Sequence, residues 1–261
     1  MTQIGQGSTS STVTWQSNGD SVTLAWSAQT HTGHRREANE DSVLARPPVF
    51  AVADGMGGHS AGDVASHAVI TRLAEHTGEP LLDAESIDRA LGLAVQDMAN
   101  GAGVTDLGTG TTVTGAALAV VSGTPQWIIF NIGDSRVYQL VSGVLEQITV
   151  DHSVVQELVD SGRITREEAD VHPHGNVITR AVGFHEAPVP DYRIVPVQAG
   201  MRILVCSDGL TKELTHYGIR HFLMSNHSAE DATTALLSAA LDNGGRDNVT
   251  VIVLDVLAVT S

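Results

Sequence analysis

Apolar runs that end in an aspartate recur along this chain, and they constrain its fold more than any other feature. Val49-Phe50-Ala51-Val52-Ala53 meets Asp54-Gly55, Phe130-Asn131-Ile132 meets Gly133-Asp134, and Ile203-Leu204-Val205-Cys206-Ser207 meets Asp208-Gly209. Gly245-Arg246-Asp247-Asn248 precedes the run Val249–Val256, and Asn39-Glu40-Asp41 precedes the short run Ser42–Ala45. One Asp-Gly after a strand is an ordinary turn, because both residues tolerate turn geometry. Five acidic sites at strand ends are different, since aligned ends bring their side chains into one cleft. Carboxylates crowded there repel one another and lose hydration unless a cation neutralises them. Oxygen donors without cysteine select a hard ion, so Mg²⁺ or Mn²⁺ fits better than zinc.

Periodicity supplies the frame. Alternation over Val22–Ala28 and the apolar run Val49–Ala53 predict strands, and Ala61–His76 and Ser86–Asn100 have helical spacing. Three β-rich runs follow, Thr111–Val121, Gln126–Ile132 and Arg136–Leu140, and Val144–Thr149 continues the meander. Asp151–Ser161 reads as a helix begun by an acidic cap, followed by a polar stretch over residues 163–183. Arg202–Cys206 is a strand, Thr215–Leu241 is helical, and Val249–Val256 is the last strand. Blocks of strands and blocks of helices, without regular βαβ alternation, predict an antiparallel-rich α+β sandwich.

The 30 acidic and 14 basic residues give a formal net charge of −16. Nucleic acid and anionic membranes are thereby poor partners, because phosphates are gripped by basic patches. The one cysteine, Cys206, allows no internal disulfide, and a reducing cytoplasm is expected. Residues 1–20 are polar and Ser/Thr/Gly-rich and read as a flexible tail, with no apolar stretch of the kind a secretory signal needs. No membrane-spanning run is present in the sequence. Residues 21–261 carry no linker or repeat, so a single domain is expected there.

In chain order the sequence shows Arg36-x-x-x-Glu40-Asp41, Val52-Ala53-Asp54-Gly55-Met56-Gly57-Gly58-His59, Gly110-Thr111-Thr112 and Asn131-Ile132-Gly133-Asp134-Ser135-Arg136. Asp151-His152-Ser153, Asn176-x-Ile178-Thr179-Arg180-Ala181-x-Gly183, Cys206-Ser207-Asp208-Gly209 and Arg246-Asp247-Asn248 continue the series. Together these resemble the bacterial branch of the metal-dependent type 2C (PPM) protein phosphatases. The resemblance implies an α+β fold, a four-layer αββα sandwich with two central antiparallel β-sheets and a metal cleft at one end. By position, Asp54 would bridge two ions, Mn²⁺ or Mg²⁺. Asp208 and Asp247 would complete the first site, and Glu40 with the Gly55 carbonyl would hold the second. Asp41 would orient a coordinated water without touching the metal, Asp134 with Asp208 would hold a third, weaker ion, and Arg36 would grip the substrate phosphate. Residues 151–183 would form the flap beside the cleft.

The resemblance further implies hydrolysis of phosphoserine and phosphothreonine in proteins, by water activated between two cations. Arg36 suits its role because a guanidinium is planar and always charged. The partners implied are phosphorylated proteins made by Ser/Thr kinases in bacterial signal transduction, met by a monomeric cytoplasmic enzyme. Eukaryotic relatives carry a histidine after the Asp-Gly, assigned as general acid. Here that position is Met56, so His59 and a coordinated water both remain open for the role.

Three other readings explain less. Gly58-His59-Ser60-Ala61-Gly62 matches the G-x-S-x-G nucleophile elbow, but an elbow turns directly off a strand and Asp54–Gly57 intervene. A cysteine phosphatase needs C-x5-R, and the sixth residue after Cys206 is Lys212. A non-catalytic phosphoprotein binder would have lost ligands, whereas Glu40, Asp54, Asp208 and Asp247 are all present. His172-Pro173-His174 lacks a third ligand and reads as solvated loop.

Overall fold

The computed structural model describes residues 1–5, 7–14, 20–57, 61–79, 81–101, 110–169, 171–184 and 188–260. Their strands are β1 (Thr2–Gly5), β2 (Ser8–Thr14), β3 (Ser21–His31), β4 (Asp41–Arg46), β5 (Val49–Met56), β6 (Gly110–Thr111), β7 (Val113–Val121), β8 (Thr124–Ile132), β9 (Arg136–Val141), β10 (Val144–Gln147), β11 (Asp191–Pro196), β12 (Arg202–Cys206) and β13 (Val249–Thr260). The helices are α1 (Ala61–Ala74), α2 (Ala84–Gly101), α3 (Val154–Asp160), α4 (Arg166–Ala169), α5 (Asp208–Thr211), α6 (His216–Ser225) and α7 (Ala229–Asp242).

Two sheets face each other. One runs β1-β4-β5-β7-β8-β11 with β6 beside β5, and the other runs β10-β9-β12-β13-β3-β2. Helices α1 and α2 cover the first sheet and share a core with it through Val69, Leu73, Ile87, Leu91 and Ala51. Helices α6 and α7 cover the second sheet through Ile219, Leu223, Leu236, Val251 and Val253. A third core lies between the sheets, where Trp26, Phe50 and Trp127 meet edge to face, with ring centroids 5.4 and 6.4 Å apart. The chain is a four-layer αββα sandwich.

Burial explains why some strands alternate and others do not. In β3, Val22, Leu24 and Trp26 point into the inter-sheet core while Ser21, Thr23 and Ala25 remain partly exposed. In β5 the run Val49–Ala53 is wholly buried, because α1 packs on one face and the opposing sheet on the other.

Two expectations need correction. A flexible tail over residues 1–20 does not describe the segments 2–5 and 8–14. β1 pairs with β4 in parallel register, Thr2 opposite Ser42, and β2 pairs antiparallel with β3, Val13 opposite Val22. Backbone pairing holds this segment, with Ile4 and Val13 as sparse apolar anchors, so hydrophobic periodicity barely registers it. The β1–β4 pair also makes the first sheet mixed at that edge. Helix α3 starts later than its expected acidic cap, since Ser153 accepts from the Gln156 N–H, while Asp151 is held by Arg136 at 2.6 Å. The helical segments expected over Thr215–Leu241 are α6 and α7, separated where Ser228 caps α7 by accepting from the Asp231 N–H.

Candidate metal centre

Asp41 opens β4 and stands directly opposite Asp54 on β5. Asp41 is fully buried, and one carboxylate oxygen accepts from Ser207 Oγ at 3.0 Å and Thr250 Oγ1 at 2.5 Å. Both donors come from the opposing sheet side, so Asp41 bolts the two sheets together. Its other oxygen, Oδ1, is buried without a hydrogen-bond partner. Burial pushes the Asp41 carboxyl up to about 7 against the pull of these hydrogen bonds, and Asp208 and Asp247 push it further.

Asp54 is held by its backbone. Its N–H donates to Thr112 Oγ1 at 3.1 Å, and its carbonyl accepts from the Thr112 N–H and Thr111 Oγ1, each at 2.9 Å. The Gly110-Thr111-Thr112 motif is therefore the clamp that aims Asp54 into the cleft. The Asp54 carboxyl lies well above the usual range through burial, then through the negative charges of Asp41, Asp208, Asp134 and Asp247. Asp134 is pushed up to about 7 by burial and by Asp208 and Asp151, with Lys212 opposing. Its turn is gripped by His152, whose N–H donates to the Gly133 carbonyl at 2.9 Å and whose Nδ1 accepts from the Gly133 N–H at 3.1 Å. An accepting Nδ1 requires an uncharged ring, in keeping with the lowering that burial imposes on His152.

Asp208 starts α5 and Asp247 precedes β13. The two elements touch so closely that a Cβ on Gly209 would sit 1.9 Å from the Asn248 carbonyl, so only glycine fits there. Lys212 Nζ lies 2.5 Å from Asp208 Oδ2 and 2.9 Å from Asp247 Oδ2. Arg36 donates to the same Asp247 through Nε at 2.7 Å and Nη2 at 2.9 Å. Burial alone would raise Asp247, but Arg36 and Lys212 outweigh it and hold the carboxyl below its usual range. Asp208 Oδ1 is buried and unpartnered.

Glu40 sits to one side. Its N–H donates to Asn248 Oδ1 at 2.8 Å and its carbonyl accepts from Ser66 Oγ at 2.6 Å. A Cβ on Gly55 would lie 2.2 Å from the Gly62 carbonyl and 2.7 Å from the Glu40 carbonyl, and one on Gly62 would lie 3.0 Å from Glu40 Oε1. Glu40, Gly55 and the first turn of α1 thus form one tight junction that admits no side chain at either glycine.

The structure accordingly groups Asp41, Asp54, Asp134, Asp208, Asp247 and Arg36, and sets Glu40 beside Gly55. His59 and Ser60 lie outside the described residues, and with them the general-acid and nucleophile-elbow readings. Cys206 is buried, and its thiol is pushed up to about 12 by that burial, which removes it as a nucleophile. The His172 and His174 rings lie tilted, 5.5 Å apart, and among the described residues no third ligand joins them. Sequence reasoning passed over Lys212, Gly62, Ser207, Thr250 and Asn248. Ser207, Asn248 and Gly62 stood inside quoted motifs without a role of their own, and Lys212 left a signal as the one lysine in the chain, four residues after Asp208.

Among the described residues no three carboxylate or imidazole groups already close on one point as metal ligands. Asp208 and Asp247 are closed on Lys212 and Arg36 instead. The donor set nevertheless fits divalent ions. It is all oxygen, two buried oxygens lack partners, and the mutual repulsion of the acids calls for more positive charge.

Residues 29–243 match the sequence profile of Protein phosphatase 2C. The serine/threonine protein phosphatase PstP of Mycobacterium tuberculosis is 42% identical over 242 residues, covering 90% of this chain, which spans 46% of that relative's length. The serine/threonine phosphatase stp of Listeria innocua is 36% identical, covering 87% of this chain and 94% of its own. The crystal structure of the Mycobacterium tuberculosis phosphatase superposes with a TM-score of 0.81 at 39% identity, covering 91% of this chain and all of that one. A PstP catalytic domain solved with two manganese ions superposes with a TM-score of 0.80 at 38% identity, covering 91% of this chain and 99% of that one. With this profile match, these relatives and this sandwich, the chain belongs to the protein phosphatase 2C family.

Proposed function

We propose that this chain hydrolyses phosphoserine and phosphothreonine in proteins, with Mn²⁺ or Mg²⁺ held by Asp54, Asp208, Asp247, Glu40 and the Gly55 carbonyl. The observation that carries the reading is the gathering of four aspartates from both sheets around Asp54, with buried oxygens of Asp41 and Asp208 left unpartnered. Two dications bound there supply charge neutralisation and an activated water for attack on phosphorus.

The protein's own contribution is placement. Thr111 and Thr112 fix the Asp54 backbone at the point where its carboxyl meets the acids of both sheets. Asp41 is immobilised by Ser207 and Thr250 and presents its free oxygen to the cleft as a proton acceptor that orients water. Arg36, about half exposed at the rim, offers the planar fork that binds two phosphate oxygens once it turns from Asp247. Asp134 and Asp208 provide the third, weaker cation position.

Residues 21–261 act as the phosphatase domain, and residues 151–183 as a flap. The flap is stitched to the cleft wall by the pairing of Thr111 with Val182, and closed on itself by that of Ser153 with Ile178. Substrates are phosphoproteins made by Ser/Thr kinases, met in the cytoplasm by a monomeric enzyme. Among the described residues no helix is long and apolar enough to cross a membrane.

Release of phosphate from a phosphothreonine peptide, measured with Mn²⁺ and with EDTA, tests the proposal. Turnover with the metal and its loss in the chelator are expected. Equal turnover in both would overturn it.

A further inference from the structure

We propose that Lys212 is an internal counter-ion for the metal centre: its ammonium occupies the Asp208–Asp247 pair in the metal-free protein and competes with the incoming cation for it. The inference rests on the metal-centre reading above and concerns how tightly that centre binds.

The geometry is specific. Lys212 follows α5, one helical turn after Asp208, which brings the ammonium 2.5 Å from one carboxylate and 2.9 Å from the other. A surface lysine would range freely, whereas this one is mostly buried and its backbone is pinned. Its N–H donates to the Asp208 carbonyl at 2.8 Å, and its carbonyl accepts from Arg246 Nη2 at 2.8 Å. Glu213 latches the same turn, accepting from the Arg246 N–H and Nε, each at 2.9 Å. Helix α5 and the turn carrying Asp247 are thus locked together, and the ammonium sits where they meet. Among fourteen basic residues this is the single lysine, a compact point charge rather than a guanidinium fork.

Of the two carboxylates, Asp208 keeps an available oxygen, while both oxygens of Asp247 are engaged, Oδ1 by Arg36 Nε and the Asn248 N–H and Oδ2 by Lys212 and Arg36 Nη2. Asp208 turns Oδ2 to Lys212 and keeps Oδ1 buried and unpartnered, and Asp247 is shared between Lys212 and Arg36. A dication that takes both carboxylates competes with the ammonium, which holds Oδ2 of each. Lys212 therefore stabilises the empty centre, where the acids would otherwise repel, and weakens occupancy by the same interaction. Such a device keeps the fold intact when metal is scarce and makes loading depend on metal concentration.

Isothermal titration of chelator-stripped protein with Mn²⁺, paired with thermal melting in EDTA, tests this without reading activity. In K212M and K212Q the affinity of one Mn²⁺ class rises at least tenfold and the metal-free melting temperature falls by several degrees. K212R, which keeps a cation, stays within about threefold of wild type. Equal or weaker Mn²⁺ affinity in both neutral variants overturns the counter-ion role, as does a K212R affinity shifted as far as that of K212M. Should one neutral variant fail to fold, the other and K212R still decide. Wild type that takes up no Mn²⁺ defeats the metal-centre reading itself. Wild-type uptake with unchanged affinity in K212M and K212Q defeats only the role given to Lys212.

Discussion

Asp41 and Asp54 face each other across adjacent antiparallel strands, two acids where a sheet ordinarily avoids like charges. Asp208 and Asp247 add to the repulsion from the opposing sheet side. Such a pair persists because Ser207 and Thr250 tie Asp41 down and, on the function proposed, because a cation completes the site. Asp54→Asn should then separate stability from activity. Activity with Mn²⁺ falls by at least about a thousandfold, as for loss of a group on which the chemistry depends. The metal-free protein melts no lower than wild type, since one buried charge is gone. Phosphopeptide turnover and thermal melting in EDTA check both halves.

The raised carboxyls of Asp41 and Asp134 set a pH dependence whose sign is fixed. Both titrate near 7 in the folded chain, above an ordinary aspartate near 4, so between these values the folded state holds protons that the unfolded state has lost. Stability from this source is fully present below the lower value and is lost as pH rises through 7. Metal-free protein is expected to resist urea better at pH 5.5 than at pH 8. Asp247, lowered by its cations, titrates below this window, and His152, lowered by burial, opposes the trend within it as one group against the three raised carboxyls of Asp41, Asp54 and Asp134. Mn²⁺ affinity moves the opposite way, rising from pH 5.5 to 8, because protons must leave before the ion binds.

Arg36→Ala removes the fork at the rim. Charge-assisted hydrogen bonds contribute roughly 1.5–3 kcal/mol, so kcat/KM for a phosphopeptide should fall about tenfold to a hundredfold. Arg36→Lys recovers only part of this, because an ammonium cannot bind two oxygens in one plane. Steady-state kinetics on the two variants check the order.

Much of this was legible from the sequence, and the reason is local. Asp54, Asp134 and Asp208 each close an apolar run, and Asp247 precedes one, so strand periodicity alone places them at sheet ends. Lys212 was not legible as a site residue, since its importance depends on Asp247, 35 residues away, folding back onto α5. β11 was missed because an exposed edge strand ending in Pro196 has little apolar periodicity. Ser8–Thr14 was missed because its pairing is made by the backbone, and polar β-branched residues resemble a loose segment.

That N-terminal segment yields its own test. Val13 is buried against the inter-sheet core and stands opposite Val22. Val13→Asp is expected to cost roughly 2 kcal/mol, the penalty for burying a polar group without a partner. Deletion of residues 1–14 lowers the melting temperature further, by opening an edge on each sheet. Denaturant unfolding of both proteins checks this, and wild-type stability in the deletion would show the segment to be dispensable.

The account stands on carboxylates from both sheets sharing divalent ions. Anomalous diffraction at the manganese edge, from crystals grown with Mn²⁺, tests this most directly. Two strong peaks are expected beside Asp54, one reached by Asp208 and Asp247 and the other by Glu40 and the Gly55 carbonyl. A cleft without manganese, or peaks bound by other residues, would contradict it.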